Sequence, residues 1–286
     1  MANETWTVRR LLQWTEDFLR KHQVEAPRLE AQILLAHALG CSKIDLYVRH
    51  EEEPPESERA AFREMIRKRA EGVPVAYLVG YRDFYSLQFA VTPDVLIPRP
   101  ETETLVMEAL RRIQSTVAPR VLDLGTGSGC IAISLAKQHK TAQVTAVDVS
   151  PAALAVAAGN ADRHGVRERV TFVEGDLFAP VTAQTFHLVV SNPPYIAHRE
   201  FPSLDVGVRD FEPRSALDGG PDGLDYYRRI AAELSGHLIP GGWVLVEIGP
   251  TQEAAVRELF AAHLEPGSTY KDAAGRPRVV SARRRK

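Results

Sequence analysis

The strongest constraint on this chain is the alternation of short apolar runs with helix-period segments after Glu101, which begins at Val121-Leu122-Asp123-Leu124 and leads straight into Gly125-Thr126-Gly127-Ser128-Gly129. A brief, wholly apolar run followed by an amphipathic segment is how a buried parallel strand and its crossover helix read in sequence. The pattern predicts strands at 121–124, 144–147, 170–173, 187–190 and 243–248, with helices at 130–137, 151–163, 226–238 and 252–262. That order specifies a doubly wound α/β sheet. Two further strand candidates, around Tyr270 and at 278–281, are joined through Asp272-Ala273-Ala274-Gly275 and would close the sheet with a hairpin and one antiparallel strand. An NAD-binding Rossmann domain is not expected to end in this way.

Residues 1–80 read differently. Val8, Leu11, Leu12, Trp14, Phe18 and Leu19 make one helical face, and Leu29, Ile33, Leu34, Leu35, Ala38 and Leu39 make a second that stops at Gly40. Further helices are expected at 44–49 and 56–70, giving a small bundle that Gly72-Val73-Pro74 breaks. Residues 84–91, aromatic and β-branched, predict a strand or hairpin, so 81–100 reads as a connector to a domain at 101–286. Glu101 and Glu103 lie at a helix start, where acidic side chains suit the dipole or could shape a site rim.

The overall charge is nearly balanced, with 35 Lys and Arg against 37 Asp and Glu, which does not suit a protein held to nucleic acid chiefly by phosphate neutralisation. The helical segment is equally mixed. Two cysteines, Cys41 and Cys130, make neither a disulfide framework nor a metal motif, so a reducing cytoplasm is expected. The start of the chain has no signal pattern and no run is long enough to span a membrane. A monomer is expected. His187, His198 and His237 lack partners at metal-ligand spacing, so no metal is expected. Arg283-Arg284-Arg285-Lys286 reads as a solvated tail.

The glycine loop lets backbone approach a ligand closely. Nineteen positions beyond Gly129, at the end of the next strand, Asp148 can accept hydrogen bonds from both hydroxyls of a ribose. The loop has neither the later glycine of a dinucleotide fingerprint nor the lysine that grips a triphosphate, so a nucleoside without phosphates fits best. Asp176, after the third strand, is placed to accept from an exocyclic amine of adenine.

Asn192-Pro193-Pro194-Tyr195 follows the fourth strand, at the switch point where the reactive end of that nucleoside should project. The prolines supply no N–H and leave turn carbonyls free. Asn192 Oδ1 and the Pro193 carbonyl can each take one proton of an NH2 group, with the Tyr195 ring expected over the flat group. Such a clamp aims a nitrogen lone pair.

Behind a glycine loop, Asn192-Pro193-Pro194-Tyr195 resembles the amino-methyltransferases, which methylate planar nitrogens in DNA bases or glutamine side chains. Ile97-Pro98-Arg99-Pro100-Glu101-Thr102-Glu103, Phe211-Glu212-Pro213-Arg214-Ser215-Ala216-Leu217, Gly219-Gly220-Pro221-Asp222-Gly223-Leu224 and Lys271-Asp272-Ala273-Ala274-Gly275-Arg276 resemble the PrmC/HemK family of protein-(glutamine-N5) methyltransferases. The resemblance runs from about Trp6 to Val280. It departs at Phe211, where a tyrosine is common, and at Leu177, where some members place an aromatic near adenine. It implies a Rossmann-like seven-stranded class I methyltransferase sheet and S-adenosylmethionine as cofactor. Gly125, Thr126, Gly127, Ser128 and Gly129 would lie under the methionine part, Asp148 on ribose, Asp176 or Leu177 near adenine, and Asn192, Pro193, Pro194 and Tyr195 around the acceptor. The implied substrate is the glutamine of the Gly-Gly-Gln tripeptide in class-1 release factors, gripped also by the N-terminal helices, with Arg99 a candidate partner contact. An adenine-N6 or cytosine-N4 nucleic-acid methyltransferase and an inactive nucleoside-binding protein are the competing readings.

Overall fold

The computed structural model describes residues 5–286, and the reading of the first four residues as free of a signal lies outside that range. The chain divides into two compact units, one comprising the residues through Gly80 with Val206–Phe211, the other Tyr81–Asp205 with Glu212–Lys286.

The first unit is helical. Thr7 caps α1 (Val8–Lys21), its hydroxyl accepting from the Arg10 N–H at 3.4 Å. Pro27 opens α2 (Pro27–Ala38), where its missing N–H costs nothing. A one-turn α3 (Asp45–Val48) and the longer α4 (Glu56–Ala70) follow. Leu19, Leu34, Leu35, Leu46 and Phe62 are fully buried between them, and Arg69 of α4 pairs with Glu30 of α2 at 2.6 Å. Pro74 does not end the helical run: it caps one more short helix, α5 (Val75–Val79), which stops on Gly80 at φ +79°.

The second unit opens with a hairpin, β1 (Tyr81–Phe84) and β2 (Leu87–Ala90), turned by Tyr85 and Ser86, both at positive φ. A 3-10 turn, Pro100–Thr102, leads into α6 (Glu103–Ile113). The wound sheet then follows as β3 (Arg120–Leu124), α7 (Cys130–Gln138), β4 (Gln143–Asp148), α8 (Pro151–Arg163), β5 (Val170–Glu174) and β6 (Phe186–Ser191). After α9 (Val206–Phe211), which belongs to the helical unit, come α10 (Asp225–His237), β7 (Leu238–Glu247), α11 (Glu253–Ala261), β8 (Glu265–Lys271) and β9 (Pro277–Arg283). The seven strands lie in the order β5-β4-β3-β6-β7-β9-β8, and β9 alone runs antiparallel to the other six. The order reverses between β3 and β6, which opens the crevice where such sheets bind ligands.

Apolar layers cover both faces. Leu105, Ile113, Ile131 and Leu135 pack on one side, and Phe178, Tyr227, Ile230, Leu234 and Phe260 on the other. Asn160, fully buried in α8, ties the hairpin to the sheet by bonding both backbone groups of Ala90 and the Ser128 carbonyl, at 2.8 to 3.0 Å.

Two expectations are corrected. The last core strand begins at Leu238 and passes through Pro240-Gly241-Gly242, with a shift in its pairing to β6 between Phe186 and Leu188. The terminal basic run is only partly a solvated tail, because Arg283 ends β9 beneath Trp243 and Arg284 exchanges backbone bonds with Gly241 and Gly242. No helix among the described residues is long and apolar enough to cross a membrane.

Candidate active site

The glycine loop leaves β3 under tight control. Gly125 and Thr126 both donate backbone N–H groups to the Val147 carbonyl, at 2.9 and 3.0 Å, so the loop is folded onto the end of β4. Gly125 and Gly127 have φ of +70° and +55°, with no atom near where a Cβ would stand, because that side faces the cleft. Thr126 and Ser128 turn inward, Thr126 donating to Asp123 Oδ2 at 2.7 Å. Gly129 sits against Ile133 and Ala157, where a side chain would collide with α7 and α8. Of the five loop residues, Gly125 and Gly127 line the cleft and the other three support it.

Asp123 is wholly buried, and burial pushes its carboxyl up to about 7 despite the bonds from Thr126 and the Ala132 N–H. Asp148, on the cleft wall, accepts one backbone N–H on each oxygen, from Gly127 at 2.8 Å and Ser150 at 3.0 Å. These bonds fix the carboxylate plane and leave lone pairs for two further donors, as a ribose diol would provide.

Beyond Asp148 the cleft continues past Val149, Ala153, Gly175, Asp176, Leu177 and Tyr226. Leu177 is buried in a left-handed backbone conformation (φ +49°), and Asp176 pairs with Arg229 at 2.6 Å. Tyr226 brings an aromatic ring that the sequence reading missed. It lines the same cleft as Leu177, the position where some members of the resembling family place an aromatic, and burial raises its phenol above the usual range. Phe211, by contrast, lies in the helical unit with its ring edge against Gly72.

At the other end stand Ser191, Asn192, Pro193 and Pro194. The Ser191 hydroxyl holds the strand end to the Leu124 carbonyl at 2.8 Å, and Asn192 Nδ2 donates to Thr102 Oγ1 at 3.3 Å. Among the described residues nothing donates to Asn192 Oδ1 or to the Pro193 carbonyl, so two acceptors stay available on consecutive residues. Tyr195 does not join them in lining the cleft. Its ring packs against the core beside Gly249, and burial lifts its phenol to about 12.

The turn is held from behind by residues far apart in sequence. Gln252 donates to the carbonyls of Tyr195 and Gly223, both at 3.0 Å, and accepts from the Gly249 N–H at 2.9 Å. The segment around Gly219 and Gly223 lies backbone to backbone against Pro194 and Tyr195, which explains its small residues. Arg99 pairs with the buried carboxylate of Glu212 at 2.5 Å, and Glu212 also accepts from the Ile97 N–H at 3.2 Å, tying together the two segments that give Pro213, Ser215 and Ala216 and Asp94, Val95 and Leu96 to the cleft lining. His187 takes no part: its Nδ1 accepts from the Arg120 N–H at the far end of β6.

The cleft runs from Asp176 and Leu177 past Asp148 and Gly125 to Asn192 and Pro193. A carboxylate with lone pairs to spare at one end and two open acceptors at the other, on this sheet order, fit the class of methyltransferases. The family described as "PrmC N-terminal domain" matches residues 10–80, and "Methyltransferase small domain" matches residues 102–207. The chain is 47% identical to the release factor glutamine methyltransferase of Rhodopirellula baltica, covering 98% of this chain and 97% of that one. It is also 47% identical to that of Geobacter sulfurreducens, covering 98% of each. The chain belongs to the release factor glutamine methyltransferase family. A solved structure of the hMettl16 catalytic domain bound to an RNA hairpin has the same fold (TM-score 0.55, 18% identity, 78% of this chain and 82% of that one).

Proposed function

We propose that this chain transfers the methyl group of S-adenosylmethionine to the side-chain amide nitrogen of the Gly-Gly-Gln glutamine in class-1 peptide chain release factors. The observation that carries the reading is the pair of unclaimed acceptors, Asn192 Oδ1 and Pro193 O, in the same cleft as Asp148. The residues fit the cofactor: Gly125 and Gly127 present bare backbone, Asp148 has lone pairs to spare, and Leu177, Ala153 and Tyr226 offer apolar surface for a base. When bound, it supplies an electrophilic methyl group on sulfur.

The chemical difficulty is the acceptor. An amide nitrogen shares its lone pair with its carbonyl and attacks poorly. Accepting both N–H protons at Asn192 and Pro193 favours localisation of that pair and points it along one line. Positioning of this kind contributes about 7–11 kcal/mol at most. The methylated nitrogen becomes acidic as charge develops and loses a proton to water, so no dedicated general base is assigned.

A tripeptide offers little surface for recognition. The helical unit, mixed in charge and matching the PrmC N-terminal domain, is therefore assigned to gripping the release factor away from the glutamine loop. The enzyme is placed in the cytoplasm, where translation termination takes place. With Asn192→Ala, transfer should fall at least roughly 100-fold while S-adenosylhomocysteine binding stays near wild type. A variant that methylates normally would contradict the proposal.

A further inference from the structure

The near balance of charge in this chain hides an uneven distribution. Six strands of the sheet begin at the end opposite the cleft, and β9 finishes there, with Arg283 in register with Trp243 and Glu265. The segments at that end, 117–120, 137–143, 162–169, 182–187, 238–242, 262–265 and 283–286, hold ten Lys and Arg against three carboxylates, Asp162, Glu168 and Glu265. Of the chain's 35 Lys and Arg and 37 Asp and Glu, this leaves 25 and 34 elsewhere.

Among the described residues none of the ten cations forms an ion pair, whereas Arg69, Arg111 and Arg278 in other parts of the chain do. Their partners, where they have any, are neutral. Lys137 donates to the His164 carbonyl at 2.8 Å, Arg167 to the Val170 carbonyl at 3.0 Å, and Arg283 to the Gly241 carbonyl at 2.9 Å. Such bonds aim the side chains and leave their charge uncompensated. Helix dipoles account for Lys137 and Arg163 in the last turns of α7 and α8. They do not account for Arg120 at the start of β3 or for the basic run that ends β9.

We propose that this end of the sheet binds the phosphodiester backbone of a nucleic acid, leaving the cleft at the other end open. Seven of the ten cations are arginines, whose forked donors match phosphate oxygens. From β5 to β9 the segments extend over five strand intervals, about 24 Å, which suits a linear polyanion. Of the exposed large apolar side chains among the described residues, only Val117 belongs to these segments. The surface therefore lacks the apolar face that enters a lipid layer and the aromatic centre of a protein interface.

The proposal is independent of the methyl acceptor and is tested by binding. Fluorescence anisotropy is read with a labelled RNA strand of about 20 nucleotides, the DNA strand of the same sequence, and vesicles of equal parts phosphatidylserine and phosphatidylcholine. At low salt the wild-type chain should bind RNA, DNA or both with a Kd of about 10 µM or tighter, and the two arms show which sugar it prefers. Lys140, Arg163, Arg285 and Lys286 have no side-chain partner among the described residues. Combining Lys140→Gln, Arg163→Gln, Arg285→Gln and Lys286→Gln should weaken binding at least roughly ten-fold and flatten the plot of log Kd against log salt by about 2–3. Tm and the Kd for S-adenosylhomocysteine should stay at wild-type values, and saturating nucleic acid should not displace S-adenosylhomocysteine. The control, Lys21→Gln, Arg28→Gln, Lys43→Gln and Lys271→Gln together, removes as much charge elsewhere and should bind within about two-fold of wild type. The proposal is overturned if neither strand binds, if only vesicles bind, if the control loses as much as the test variant, or if nucleic acid displaces S-adenosylhomocysteine. Should the four-site variant not fold, Lys140→Gln with Arg163→Gln alone decides, with about a three-fold loss expected and wild-type affinity contradicting the proposal.

Discussion

The backbone carbonyl oxygen of Tyr195 stands 2.5 Å from the point that a Cβ on Gly223 would occupy. Gly223 also has φ of +79°, so neither the space nor the backbone admits a side chain. Gly223→Ala should push the turn carrying Asn192 and Pro193 out of line. Overpacking and strain of this kind cost about 1–3 kcal/mol in stability. We expect Tm to fall and kcat to drop by roughly ten-fold or more, with S-adenosylhomocysteine affinity held within about three-fold. Calorimetry and single-turnover assays on one preparation would check it, and unchanged kcat would show that the buttress does not matter.

Asp148 should govern the nucleoside end alone. Its oxygens are fixed by Gly127 and Ser150, and hydrogen bonds to a charged group are worth about 1.5–3 kcal/mol. Asp148→Asn should therefore weaken S-adenosylhomocysteine binding by roughly 10–100-fold in titration calorimetry. Equal affinity in the variant would move the ribose away from this carboxylate.

Asp123 makes a prediction about pH. Its carboxyl is raised from 3.8 to about 7, so the folded chain keeps a proton that the unfolded chain gives up near 3.8. The stabilisation is complete below the lower value and is lost as pH rises through the higher one. Glu247 acts in the same sense. Asp123→Asn has no such proton to lose, and its carbonyl can still accept from Thr126 and Ala132. Relative to wild type, its stability should rise by roughly 2–4 kcal/mol between pH 4 and pH 8. Parallel Tm curves for the two proteins would contradict this.

The sheet was legible because its signals are local. Pro151 behind Ser150 marked the start of α8 and the glycine loop marked that of α7, while 56–70 carried its own helical period. Short helices such as Val75–Val79 and Val206–Phe211 have too few residues to show a period. The ends of the cleft were legible too, since Asp148 and Asn192 sit just where strands end. What was not legible depends on how distant segments meet: Thr102 under Asn192, Gln252 between Tyr195 and Gly223, Glu212 under Arg99, and Tyr226 in the same cleft as Leu177. No spacing rule announces such meetings. The inward turn of Thr126 and Ser128 and the packing of the Tyr195 ring behind the turn likewise follow from the surrounding core.

The central claim is that the paired acceptors of Asn192 and Pro193 hold a glutamine amide of a release factor. The most direct measurement is transfer of labelled methyl from S-adenosylmethionine to purified release factor, to its Gly-Gly-Gln glutamine→Ala variant and to duplex DNA, side by side. The account predicts label on the first and none on the other two. Label on DNA, or undiminished label on the glutamine→Ala variant, would contradict it.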